Sequence, residues 1–300
     1  ITTAFVEQYK SNVMDLVQQK GSRLRNAVMT DTVVGKKKFV EQVGTTEAQL
    51  RTSRHADSPL VNTPHLRRSL TLEDYEWGDL IDNADRVRLL IDPQDAYARN
   101  AAWAMGRAID DVIITAATGT AKTGVSGSDD ETMGDAPSSG ASAGQRIAKD
   151  YVESGGAADS SLTVAKLRRA RKILAANEVD PSENLCIAVN AEMMENLLKA
   201  TEVTSADYNT VKALVRGEIN SFMGFDFIHT ERLLTNGTGT MAGTTAFAWA
   251  KSGLMLGIGA DVKASIAPRA DKSFSTYVYY SMSIGATRLE KEKVVEIACA

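Results

Sequence analysis

Cysteine is nearly absent. The 300 residues hold two, Cys186 and Cys299, far apart and without the paired spacing that builds a disulfide framework or a zinc site. A reducing compartment is therefore expected. Histidine is almost as scarce: His55, His65 and His229 show no metal-ligand spacing and no serine or cysteine partner for a nucleophilic triad. No apolar run approaches the ~20 residues that span a bilayer, and the opening ITTAFVEQYK lacks the charged-then-apolar layout of a signal peptide. A soluble, intracellular protein without membrane association is expected, and because the chain opens on Ile1 rather than Met, so is a preceding segment. The net charge of -4 argues against a uniformly basic nucleic-acid face. What is present is length, and 300 residues bury about three quarters of their unfolded surface, enough for one large domain or two modest ones without metals or disulfides.

Three glycine patterns suggest phosphate sites and each fails on spacing. ATGTAKTG carries Lys122 and Thr123, but Ala121 stands where a phosphate loop needs glycine, and the pattern follows a helix rather than a strand. In NGTGTMAG the third glycine falls one position late, and in GIGADV that position is Val262. A nucleotide-dependent enzyme thus has no fingerprint here, and no cofactor is implied. Asp129, Asp130, Glu131 and Asp135 follow no calcium-loop order, and Asn236-Gly237-Thr238 reads as a turn.

The dominant feature is the stretch from Asp92 to Gly119. Asp92 as cap, Pro93 at the first helical position and Asp95 near the positive end of the dipole mark a start; Gly119 marks the stop. Ala98, Ala102, Met105, Ile109, Val112 and Ala116 recur on one face, with Arg99, Asn100, Arg107, Asp110 and Asp111 opposite and Arg107 spaced to pair with Asp111. The predicted helix is roughly 39 Å long. Before it, residues 3–20 form an amphipathic arm, and two β-branched strands, TVVGKKKFVEQVG and RRSLTLEDYEWGDLID, flank a stretch with Pro59, Pro64 and no sustained period. After it, the Gly, Ala, Ser and Asp-rich 119–161 segment reads as a mobile or partner-ordered loop. A basic helix follows with Arg168, Arg169, Arg171 and Lys172, then a buried strand LCIAVN, the helix AEMMENLLKA, and a helix-to-strand passage 211–228 with Gly224 at the break. The end is β-rich: AFAWA, LMLGIG, VKASIA, FSTYVYYSMSIGATRL and VVEIACA, divided by glycines and Pro268. Without regular βαβ alternation the class is α+β.

In order and texture these elements resemble the major capsid proteins of tailed bacteriophages, the family with the HK97-like fold. NLCIAVNAEMMENLLKA is similar to that family's strand-then-helix step, and GEINSFMGFDFIHTE resembles its turn through a glycine into a strand. The resemblance implies an N-terminal arm over 1–31, an extended loop over 32–80, a peripheral domain over 81–179 and 263–300 with a spine helix over 93–118, and an axial domain over 180–262. Gly224 and Phe225, with Phe222, are expected at the axial hand-over, the two aromatics pointing inward. Lys36, Lys37 and Lys38 lie at the loop's base rather than its tip, so the chain-mail crosslink of some members is not expected.

The implied function is structural: a virion subunit assembled in the host cytoplasm as hexamers and pentamers of an icosahedral head. That head would hold double-stranded DNA without sequence-specific binding, with scaffolding, portal and decoration proteins as further partners. The alternatives are an encapsulin-like compartment for protein cargo and the disfavoured nucleotide-dependent enzyme. Arg51, Arg54, Arg67 and Arg68 on the loop, and Glu73, Asp74 and Glu76 after it, are the candidate contacts between subunits.

Overall fold

The computed structural model describes residues 18–54, 58, 60–82, 94–153, 157–199 and 221–300, with the side chains of 94–96 and 236 also outside the description. The arm before residue 18, His55, Pro59, the Asp92–Pro93 start signal and the helical part of 211–220 therefore lie outside the described residues.

Three sheets and three helices carry the described chain. The strands are β1 (Met29–Thr32), β2 (Lys37–Val43), β3 (His65–Thr71) and β4 (Glu73–Ile81), then after helix α1 (Gln94–Thr118) the short β5 (Ala121–Thr123), β6 (Asp129–Glu131), β7 (Ser142–Ala143) and β8 (Arg146–Ile147). Helix α2 (Val164–Ala176), β9 (Leu185–Val189) and helix α3 (Ala191–Lys199) follow. The chain then runs through β10 (Ser221–Phe222), β11 (Phe225–His229), β12 (Thr235–Asn236), β13 (Gly243–Ala250), β14 (Leu254–Arg269), β15 (Ser275–Arg288) and β16 (Val294–Cys299). One sheet has the order β1-β14-β15-β4, a small one β2-β3-β5-β6, and the largest β10-β11-β9-β13-β16-β8-β7 with β12 beside β13. β11 on β9, β1 on β14 and β16 on β8 are parallel, and the other pairings antiparallel.

The buried strands are the ones without a polar period. β9 (LCIAV) and β16 (VVEIAC) are buried along their whole length, as a strand between two neighbours and beneath helices must be. Trp249 and Phe247 on β13 are fully buried, their rings 4.7 Å apart. The Trp249 indole donates to the Ala27 carbonyl at 2.9 Å. Helix α2 starts where Thr163 accepts from the Lys166 amide, and α3 where Asn190 accepts from the Met193 amide at 2.8 Å, the side-chain caps that helix starts require.

Several sequence expectations are corrected. The buried apolar positions of α1 are Ala101, Met105, Ile109, Ile113, Ile114 and Ala117, while Ala102 is exposed; the stripe is rotated relative to the alanine-led reading because isoleucine buries more area than alanine. Asp110, expected on the solvent face, is fully buried. Asp111 pairs with Arg232 rather than serving as the expected partner of Arg107. The described residues of the 119–161 segment are built into the fold, with four short strands and Met133, Ile147 and Ala148 buried. A few isolated apolar anchors suffice there. β14 runs unbroken through the expected 262/263 boundary and through Pro268, tolerated because the last strand pairings of Ala267, Pro268 and Arg269 are with β15 alone. β4 pairs with β15, and β16 lies in the large sheet beside β13.

Candidate assembly interface

The hairpin β2–β3 leaves the body of the subunit. Its register runs from Lys37 opposite Thr71 to Val43 opposite His65, and Gly44 donates to the Pro64 carbonyl at 2.8 Å to close the last ladder rung. Beyond that point every described residue from Thr45 to Leu66 is exposed. Leu50 and Leu60 are each 89% exposed, an arrangement that costs apolar hydration and gives the subunit no core in return.

The base of the hairpin is fixed by charge. Arg68 is buried, donates through Nε to the Leu289 carbonyl at 2.7 Å and is ion-paired with Glu131. Arg288, 1% exposed, donates to the carbonyls of Ala117 (3.0 Å), Gly119 (2.8 Å) and Glu131 (3.0 Å). One of those carbonyls lies in the last turn of α1 and another directly after it, where helix carbonyls lack partners and the dipole is negative. Burial pushes the Arg288 guanidinium down to about 10, so it stays charged at neutral pH. One cluster thereby ties the hairpin base, the end of the long helix and the closing strand.

The other face of α1 holds the chain before β1. Asp110 accepts from Ser22 Oγ (2.5 Å), Gln19 Nε2 (2.5 Å) and the amides of Arg23 (3.0 Å) and Leu24 (3.1 Å). A buried carboxylate with this many donors is satisfied. Arg107 donates to Gln18 (2.8 Å) and to the Gln19 carbonyl (3.2 Å). So the last residues of the arm dock on their own subunit.

A further buried ion locks the large sheet. Lys166 on α2, completely buried, donates from Nζ to the carbonyls of Lys149 (2.8 Å), Ser160 (2.6 Å), Ser161 (3.1 Å) and Ala298 (3.0 Å). Burial pulls this ammonium below its ordinary value. The remaining basic residues of α2 are largely engaged within the chain: Arg168 pairs with Glu153 at 2.8 Å, Arg169 donates to Ser142 Oγ at 2.6 Å, and Arg171 donates to the Met223 and Gly224 carbonyls at 3.3 Å. Lys172 is exposed.

The sequence-predicted residues separate into groups. Arg51 and Arg54 lie exposed on the loop, and Glu73, Asp74 and Glu76 are exposed on β4. Arg67 is shared, donating to Glu41 at 2.7 Å and lying over the Phe39 ring at 5.1 Å. Arg68, by contrast, is buried and engaged within its own chain by the Leu289 carbonyl and Glu131. Gly224 is a correction. It sits with Met223 in the two-residue turn between β10 and β11, both at positive φ (79° and 53°), the backbone of a hairpin turn rather than a helix-to-strand passage. Phe225 is fully buried and Phe222 packs partly buried on the same core. Gly119 directly follows α1, and a Cβ there would stand 2.5 Å from the Thr115 carbonyl.

Lys166 and Arg288 are not singled out by the sequence, which shows Asp110 and Glu131 only as part of a polar helix face and of an acidic loop group. The usable signal was a lone charge inside an apolar run, as in SIGATRL. Among the described residues no group of three or more histidine, cysteine or carboxylate side chains could hold a metal ion, and no helix is long and apolar enough to cross a membrane.

A long helix beside a four-stranded sheet, an extended hairpin and a second sheet-and-helix body define an HK97-like shell fold. The solved structures agree. The capsid of cyanophage P-SCSP1u superposes with a TM-score of 0.72 at 13% identity, covering 99% of this chain and 93% of that one. The capsid of a native GTA particle gives 0.71 at 15% identity over 99% and 96%. That of cyanophage Pam1 gives 0.71 at 13% identity over 99% and 97%. No curated protein sequence matches the chain. The family model for phage capsid protein matches residues 1–300, and the chain belongs to that family. It is a major capsid protein, a structural subunit that forms the shell, and the compartment alternative is not favoured.

Proposed function

We propose that this subunit assembles into hexamers and pentamers of an icosahedral head that encloses double-stranded DNA in the virion, after assembly in the host cytoplasm. The observation that carries the reading is the hairpin loop, whose described residues from Thr45 to Leu66 are all exposed and include leucines 89% open to solvent. Such a loop is worth its cost only when other copies cover it, in obligate contacts of the kind that bury well over ~2,000 Å². Exposed Arg51 and Arg54 and the half-exposed Arg67 then face carboxylates such as Glu73, Asp74 and Glu76 of a neighbour. The sequence division into arm (1–31), extended loop (32–80), peripheral (81–179 and 263–300) and axial (180–262) parts describes roles in this shell, with β16 working beside the axial strands.

DNA is held by confinement, since the net charge is -4 and most of the basic stretch on α2 is engaged within the chain. Scaffolding, portal and decoration proteins are the further partners of such a head. The test is electron microscopy of the expressed chain joined to a binding assay on dissociated subunits. Closed shells, and weak DNA binding without a steep salt slope, support the reading; open aggregates, or tight salt-sensitive binding by free subunits, contradict it.

A further inference from the structure

A cleft of about 310 Å³ opens beside α1, between that helix, β4 and the end of β15. Val112, Ala116 and Ala286 line it with apolar surface, and Glu73 and Asp111 line it with carboxylates. Its shape is set by close packing of backbone: Gly285 lies so near the Thr71 carbonyl that a Cβ has no room. Asp111 is engaged by Arg232, whereas exposed Glu73 meets the Tyr75 hydroxyl at 3.4 Å. Burial, with Glu73 and Asp111 nearby, pushes the Tyr75 phenol up, as a site of negative potential does.

Such a cleft suits one aliphatic side chain followed directly by a cation. The hairpin loop displays that pair. Leu50 is 89% exposed, and its neighbour Arg51 is exposed and steadied by donating through Nε to the Ser53 carbonyl at 3.0 Å. We infer that the cleft beside α1 receives Leu50 and Arg51 of a second copy of this chain, Leu50 against Val112, Ala116 and Ala286, and Arg51 against Glu73. The inference rests on the proposed shell and names the receiving surface for its loop. Opposite charge selects the copy and orients the loop, and exclusion of water from the leucine supplies the attraction.

The test is disulfide trapping in a Leu50→Cys/Thr115→Cys variant. Leu50 and Thr115 are both exposed, and Thr115 lines the cleft, while the native Cys186 and Cys299 are buried. Shells are assembled from a mixture of unlabelled and heavy-nitrogen chains, oxidised mildly, digested and read by mass spectrometry. The expected result is a disulfide joining the 50 and 115 peptides with one label of each kind, lost when the shells are dissociated before oxidation. Links carrying only one label would mean that the loop folds back on its own cleft, and intact shells without the link would mean that something else fills it. Either overturns the inference and leaves the shell standing. Should the double variant fail to assemble, Arg51→Lys with a carbodiimide reads the same contact as an amide to Glu73 of the other label, and its absence from intact shells overturns the inference equally. If the unmodified chain forms no shells, the shell reading itself fails.

Discussion

In the middle of α1, Gly106 lies against Gly21, so close that a Cβ on Gly106 would stand 2.5 Å from both the Cα and the carbonyl carbon of Gly21. Gly21 itself has φ 78°. One helical turn further, Asp110 collects the donors of Ser22, Arg23 and Leu24. Two glycines let two backbones meet, and one carboxylate fastens them. Replacing glycine by alanine inside a helix ordinarily stabilises by about 1 kcal/mol. At Gly106 the sign is expected to reverse: Gly106→Ala should destabilise the free subunit by about 1–3 kcal/mol through overpacking, measured by urea denaturation. A gain in stability would show that the arm segment does not sit on the helix.

Arg288→Met should cost about 3–5 kcal/mol, because it leaves the carbonyls of Ala117, Gly119 and Glu131 without their shared donor and removes a cation near the Glu131 carboxylate. The same change combined with Glu131→Gln should cost less than the sum of the two singles. Calorimetric melting of the four proteins measures that coupling, and strict additivity would separate the residues energetically.

Lys166→Met should be among the most damaging single changes in the large sheet, with a loss of about 2–5 kcal/mol. The methionine fills the volume, but the carbonyls of Lys149, Ser160, Ser161 and Ala298 lose a shared donor. Denaturant midpoints report it. A variant as stable as the parent would mean that water replaces the ammonium.

Burial pushes the thiols of Cys186 and Cys299 up to about 11 each. A thiol raised above its unfolded value adds stability that is complete below about pH 8.5 and is lost as the pH rises through 11. Unfolding free energies taken from pH 8 to 11 should therefore fall more steeply for the parent than for Cys186→Ala/Cys299→Ala, by about 2–3 kcal/mol per thiol at the alkaline limit. Lys166 shifts in the opposite sense and interacts electrostatically with Cys299, so Cys186→Ala alone, whose thiol is not coupled to Lys166, isolates the effect of one buried thiol. Parallel curves would contradict the account of the buried thiols.

Gly224→Val should destabilise by at least about 1–2 kcal/mol. The position has φ 79°, and the Arg171 guanidinium occupies the space that a Cβ would take, so the side chain adds strain and displaces a donor from the turn. Gly224→Asn, which tolerates the backbone, should lose less, and thermal melting separates the two.

What could be read from the sequence follows from how local each signal is. The long helix, LCIAV with its following helix, and the β-rich end were legible because period and composition act over a few residues. Gly224 was legible as a break but not as a hairpin turn, since its strand partner lies at Ser221 and Phe222, next to a stretch that reads as helix. β14 was read as two strands because glycines and Pro268 resemble punctuation, and only the pairing with β15 through Arg269 shows that they are not. Asp110, Lys166 and Arg288 were hidden for a common reason. Each is a charge whose burial depends on partners 86 to 171 positions away in sequence or on a ring of carbonyls, and no local pattern announces those.

The central claim, that the hairpin loop serves the assembly and not the subunit, is tested most directly by electron microscopy of a variant in which residues 46–65 are replaced by a short glycine-serine turn. Few buried contacts within the subunit are lost, so circular dichroism and melting should match the parent. Single exposed ion pairs are worth only about 0–1 kcal/mol, but a closed shell repeats the loss at every subunit. The expected images show the parent as closed shells and the variant as folded subunits or small oligomers without them. Normal closed shells from the variant would contradict the claim.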